Sequence, residues 1–192
     1  MRRVPVRVID APLPGVLLLE PEVISDHRGF FMESYNRKRL AELGIDNDFV
    51  QDNHSRSVRG VLRGLHYQIG RPQAKLVRAT RGRVFDVVVD IRRGSPSFAR
   101  WAGVELSEDD RLVLYAPEGF AHGFLVLSEA AEFQYKCSDY YSAEMERGLP
   151  WDDPEIGIEW PLEGLDPVLS DRDLRWRTLA KAAADDLPVY AP

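Results

Sequence analysis

Arg63 and His66 stand three residues apart in Gly60-Val61-Leu62-Arg63-Gly64-Leu65-His66-Tyr67-Gln68, an otherwise apolar run punctuated by glycine. A guanidinium holds anions, and an imidazole takes up a proton near neutral pH. Together they are reagents for acid–base chemistry on a charged substrate. In a regular strand, residues three apart face opposite ways. A twist or bulge at Gly64 would turn both toward the mouth of one cavity. An arginine anchoring a loop beside a hydrogen-bonded core histidine is the competing reading, and the segment alone leaves both open.

The other reagents extend this pattern. His27, His54 and His122 complete the histidines, and Lys75, Tyr135, Tyr140 and Tyr141 follow along the chain. An imidazole base, cations, carboxylates and phenols suit removal of a proton next to a carbonyl. His66 would take the proton, Lys75 or Arg63 would stabilise the oxyanion, and a tyrosine such as Tyr135 would return a proton from the other face. Most phenols in an aromatic strand pack and make one hydrogen bond, so chemistry alone selects none of the three tyrosines.

These groups need a scaffold. The chain has 192 residues, with 13 prolines and 14 glycines spread between short apolar runs and no linker or low-complexity tract. That pattern predicts one domain over 1–192, all-β, with many short strands. Val4 to Glu22 reads as two extended pieces around Leu13-Pro14-Gly15, and Phe30 to Tyr35 as a further strand. Strands are then expected in Val58 to Gln68, Ala74 to Thr80, Val84 to Ile91, Trp101 to Leu106, Leu112 to Ala116, Gly123 to Leu127 and Ala131 to Cys137, as in a barrel or sandwich. Asp86, Val88 and Asp90 share one strand face, which is expected to line a wet pocket. Arg37 to Leu43 reads as a helix capped by Asn36 and ended by Gly44. Ser170 to Leu179 has helical character, with Ser170 and Asp173 spaced as a capping pair.

A net charge of −6 and a pI near 5.3 exclude a generic nucleic-acid or anionic-membrane surface. Basic residues do gather between Arg56 and Arg83, and one or two of them beside a small anion would suffice for binding. The single cysteine, Cys137, reads as a buried bystander. No signal peptide or membrane-length apolar run is seen, which predicts a cytoplasmic protein with no membrane partner.

Pro117-Glu118-Gly119-Phe120-Ala121-His122-Gly123-Phe124 resembles the second metal motif of cupins, but the first motif lacks its His-x-His pair, since Gln68 follows His66, and its downstream Glu. The ligand set is incomplete, and neither metal nor cofactor is expected. Beyond that, Asp26-x-Arg28-Gly29-x-Phe31-x-Glu33, Gln51-Asp52-Asn53-x-Ser55, the Gly60 to His66 run, Lys75-Leu76-Val77, Val84-Phe85-Asp86-Val87, the Pro117 to Phe124 run, Tyr135-Lys136 and Ile158-Glu159-Trp160-Pro161 resemble the dTDP-4-dehydrorhamnose 3,5-epimerase family. They do so in order and over nearly the whole chain.

The resemblance implies a cupin-type jelly-roll barrel with a few short helices and a homodimer with exchanged N-terminal strands. It further implies metal-free epimerisation of a dTDP-4-keto-6-deoxyhexose at C3 and C5. Relatives that invert one centre only, or a nucleotide-sugar-binding jelly roll without turnover, are the alternatives. By the same resemblance His66 is the base, Tyr135 the acid, Asp173 the carboxylate behind the base (with Asp171 nearby) and Lys75 the oxyanion stabiliser. Arg63 and His122 hold the sugar, and Arg28, Phe31, Glu33, Gln51, Asp52 and Asn53 are substrate-binding positions. Arg28 and Glu33 would arrive from the partner subunit. Tyr141 packs beside the base, with Glu146 and Arg172 further out; the family often has lysine where this chain has Arg172.

Overall fold

The computed structural model describes residues 6–191. Its strands are β1 (Val6–Leu13), β2 (Val16–Pro21), β3 (Val23–Asp26), β4 (Gly29–Met32), β5 (Gln51–Val58), β6 (Leu62–Gln68) and β7 (Lys75–Arg81). They continue with β8 (Arg83–Asp90), β9 (Trp101–Ser107), β10 (Val113–Ala116), β11 (Phe120–Val126), β12 (Ala130–Cys137) and β13 (Glu146–Gly148). One sheet has the order β1-β2-β10-β7-β12-β5 and the other β13-β6-β11-β8-β9, while β3 and β4 form a separate hairpin. Every neighbouring strand pair is antiparallel. The expected all-β jelly roll is what the chain forms. The part of the first extended piece before Val6 lies outside the described residues.

Alternation along the strands builds the core. Val77 and Ala79 of β7, Val84 and Val88 of β8, Phe124 of β11 and Phe133 of β12 meet between the two sheets. Phe133 is 1% exposed, and burying a side chain of that size contributes roughly 1.5–3 kcal/mol. Leu65, Val87, Val89 and Leu125 point the other way, under Leu149, Ile156, Trp160 and Leu187 of the C-terminal segment. Helix α1 (Arg37–Glu42) covers the outer face of the six-stranded sheet. Its Leu40 packs with Leu19, Ile45 and Leu76. Asn36 accepts the Arg39 N–H, which contributes on the order of 1 kcal/mol, and Gly44 follows at φ +85°.

Two expectations need correction, and a third takes its shorter form. The strand from Phe30 stops at Met32, short of Tyr35. The helix or turn expected over Ser170 to Leu179 is a pair of 3-10 turns, Asp173–Arg175 and Leu179–Lys181. Ser170 does accept the Asp173 N–H, but the Asp173 side chain turns away to His66, and Trp176 leaves in extended conformation. Finally, Asp86 and Asp90 are both 0% exposed and do not make a wet lining. Asp90 is taken up by Arg92, Ser95 and Ser97, and Asp86 by His122.

Candidate active site

The β6–β11 ladder explains how Arg63 and His66 come to share a cavity. His122 pairs with His66 and Phe124 with Arg63, so β6 carries one extra residue between them. This bulge falls at Gly64, whose φ is +133°. A Cβ there would lie 2.6 Å from the Gly123 Cα, so the close approach requires glycine. Both side chains then line a cavity of about 480 Å³ between the sheets, with Lys75, His122, Tyr135, Arg172 and Asp173.

His66 is held from behind. Its Nε2 lies 2.6 Å from Asp173 Oδ1, although the two are 107 positions apart. Asp173 is delivered by the C-terminal segment, which is pinned to the barrel where the Val168 N–H donates to the Gly60 carbonyl and the Leu62 N–H to the Val168 carbonyl. Burial pushes the Asp173 carboxyl up. The hydrogen bond and charge of His66, with hydrogen bonds from Ser170 and Trp176, outweigh it and hold the group below its ordinary range. An ionised Asp173 only accepts, so the proton sits on His66 Nε2 and Nδ1 keeps its lone pair. Asp171 makes no such contact; its backbone carbonyl accepts from Arg175 Nε.

Lys75 and Tyr135 come from β7 and β12 of the other sheet. Lys75 is buried and donates to the His66 carbonyl at 3.2 Å. Burial holds its ammonium below the ordinary range, opposed only in part by Cys137, Asp86 and Glu146. Burial also pushes the Tyr135 phenol up. It therefore holds its proton at neutral pH and can deliver it to a strong carbon base. Tyr140 is 57% exposed; Tyr141 lines an adjoining cavity.

That second cavity, about 310 Å³, shares His66, Lys75, Tyr135 and Arg172 with the first and adds Gln51, Asn53, Tyr141 and Glu146. Glu146 accepts from the Tyr141 hydroxyl at 3.0 Å and from Arg172 at 2.6 Å. The Tyr141 N–H donates to Gln51, and Gln51 donates to Asn53. Cys137 is buried, as expected, but it lines this cavity and its thiol is pushed up by burial.

Four expected site residues stand elsewhere within this one chain. Asp52 faces outward on β5 and pairs with Lys136 at 2.8 Å. Arg28 pairs with Asp26 in the hairpin, Glu33 accepts from Asn36, and Phe31 is 70% exposed. Conversely, Asp86 and Trp176 belong to the site's support and were not assigned there from sequence. Trp176 Nε1 donates to Asp173 at 3.3 Å, and its ring lies edge-on to His66. A tryptophan three residues beyond Asp173 is the only trace of this in the sequence.

The donor set does not fit a metal centre. Among the described residues no three His, Cys, Asp or Glu side chains gather as ligands. Two antiparallel sheets closed over an imidazole base, a phenol and a buried ammonium define a cupin-type acid–base enzyme, of the kind that epimerises beside a carbonyl. Residues 10–181 match the family model described as dTDP-4-dehydrorhamnose 3,5-epimerase, and the chain belongs to that family.

The chain is 51% identical over 185 residues to the dTDP-4-dehydrorhamnose 3,5-epimerase of Methanothermobacter thermautotrophicus, covering 96% of this chain and 97% of the relative. Among solved structures, the dTDP-6-deoxy-D-glucose-3,5-epimerase of Legionella pneumophila Philadelphia 1, in complex with dTDP-4-keto-L-rhamnose, superposes with a TM-score of 0.95. It is 48% identical over 97% of this chain and 100% of its own. A 3'-monoepimerase from Streptomyces bikiniensis, in complex with dTDP-quinovose, is similar at 38% identity and a TM-score of 0.85, over 92% of this chain and 90% of its own.

Proposed function

We propose that the whole chain is one catalytic domain that inverts C3 and C5 of dTDP-4-dehydro-6-deoxy-D-glucose, giving dTDP-4-dehydro-L-rhamnose without metal or cofactor. The observation that carries this reading is the division of labour across the barrel. His66 with Asp173 stands on the five-stranded wall, and Tyr135 with Lys75 on the six-stranded wall, of one cavity. The 4-keto group acidifies the C–H bonds on both its neighbours, so one base and one cation serve both centres in turn. His66 Nδ1 removes the proton, the Lys75 ammonium stabilises the enolate oxygen, and Tyr135 protonates the carbon from the opposite side. A placed base contributes about 10²–10⁴-fold and an oxyanion donor about 10²–10³-fold.

Arg63 and His122 hold the sugar in this reading, and Gln51, Asn53, Tyr141, Glu146 and Arg172 receive the nucleotide in the adjoining cavity. Arg28, Phe31 and Glu33 act on the partner's site in a homodimer. The support is the separate β3–β4 hairpin, which leaves Ile24, Phe30 and Phe31 more than half exposed. Asp52 joins that intersubunit contact, since it faces away from its own cavity. Among the described residues no helix is long and apolar enough to cross a membrane; the cytoplasm is the compartment assigned here.

Turnover in deuterated water tests the function. Solvent deuterium is expected at both C3 and C5 of the product. Label at one carbon alone would make the chain a monoepimerase, as its Streptomyces bikiniensis relative is named, and label at neither would leave a binding protein. Sedimentation should give twice the 21.9 kDa chain mass, and a monomer that turns over would remove the intersubunit roles.

A further inference from the structure

The barrel holds a second imidazole–carboxylate pair that lies outside the proton transfers above. His122 Nε2 lies 2.9 and 3.1 Å from the two oxygens of Asp86. Asp86 comes from β8 and His122 from neighbouring β11, where His122 stands directly opposite His66 in the β6–β11 ladder. Asp86 is 0% exposed, and the His122 ring stacks on Phe133 at 16°. The ring is thus fixed in the plane that aims Nε2 at the carboxylate.

The consequence is a matter of donors and acceptors. His122 and Lys75 are the ionisable groups facing Asp86; burial raises its carboxyl and they oppose that only in part, but Nε2 reaches both oxygens at once, the geometry of an N–H shared by a carboxylate. As a carboxylate, Asp86 only accepts, so the His122 proton belongs on Nε2. His122 Nδ1 is left with a lone pair and no hydrogen-bond partner among the described residues, in a side chain that lines the main cavity. The cations there, Arg63, Lys75 and Arg172, only donate. His66 Nδ1 is reserved for a C–H proton. A sugar ring brings hydroxyls that each need somewhere to donate.

We propose that Asp86 is a positioning residue that fixes His122 as its Nε2–H tautomer, so that His122 Nδ1 accepts a hydrogen bond from a hydroxyl of the substrate's sugar ring. This rests on the proposed function in placing a sugar in the barrel, and it adds which hydrogen-bonding role His122 plays and what sets it.

Imidazole ¹⁵N spectra of the free protein test the first half without any substrate, with the His122 signals identified by their loss in His122→Gln. The expected result is a protonated Nε2 and a bare Nδ1; a proton on His122 Nδ1 would overturn the proposal. Asp86→Leu removes the acceptor and should shift part of the His122 population to Nδ1–H. KM for the nucleotide-sugar should then rise about tenfold, the worth of one hydrogen bond to a polar partner, with kcat changed less. Inhibition by dTDP alone should stay within about twofold of the parent, since the nucleotide lies elsewhere. Asp86→Asn keeps an acceptor oxygen and should restore both tautomer and KM toward the parent, whether or not the leucine variant folds. A released tautomer with unchanged KM, or an asparagine variant as impaired as the leucine one, would refute it. Absence of turnover by the parent protein would instead strike the proposed function and leave the spectra standing.

Discussion

The two imidazole–carboxylate pairs use the same groups under opposite conditions. His66 keeps some access to the cavity, and its carboxylate arrives from a segment 107 residues away whose bonds hold it ionised. His122 and Asp86 sit on adjacent strands inside the sheet, where burial works against the charge on Asp86. The difference teaches that the pair alone does not make a base. Wider access to the cavity and a carboxylate held in its charged form suit His66 to take a proton, whereas a fully buried carboxylate partner suits His122, which lines the same cavity, to hold one tautomer.

The largest effect is expected at His66, the proposed base. His66→Ala should lower turnover by about 10²–10⁴-fold while leaving binding of the nucleotide largely intact; His122→Ala should act mainly on KM. Steady-state kinetics with dTDP as competitor would check this, and equal kcat losses in both variants would erase the distinction. Asp173→Asn should follow, with a loss on the order of 10²-fold, because a neutral amide no longer supports the positive charge that the imidazole gains on taking the proton.

Stability responds in the same terms. The Asp173 carboxyl is lowered on folding, so its contribution is present above the unfolded range, near pH 4, and is lost as pH falls through the folded value. Asp90 gives a cleaner measure, outside the site. Burial raises it, but Arg92, Ser95 and Ser97 outweigh that and bring it down to about 2. Asp90→Asn should cost about 2 kcal/mol at neutral pH and flatten the fall in stability between about pH 4 and 2 in denaturant titrations. Smallest of all, exhaustive chelation should leave activity unchanged; loss on chelation with recovery by one metal would contradict the donor set described here.

Strands with one apolar face were legible in the sequence, and so was α1, whose cap and terminal glycine stand in the expected places. β5 was not, because Gln51, Asn53, Ser55 and Ser57 face inward while Asp52, His54 and Arg56 face outward. A strand lining a wet cavity is polar on both faces and shows no hydrophobic period. β13 is three residues long and defined only by its partner β6. The bulge at Gly64 could be anticipated from two polar side chains at an odd spacing. The Asp173–His66 contact could be expected only through family resemblance, since nothing local links residues so far apart. Asp86 drew attention as a carboxylate on an apolar strand, yet its partner depended on which strand β8 would lie beside.

Placement of the proposed base and acid on facing walls is decided by Tyr135→Phe in deuterated water. The ring still packs near Phe133, so only the proton donor is lost. Two rates should be followed in one experiment, exchange of the substrate's own C–H with solvent and appearance of inverted product. Inversion should slow far more than exchange, because His66 continues to remove and return protons on its own side. Equal slowing of both rates, or no change in either, would contradict it.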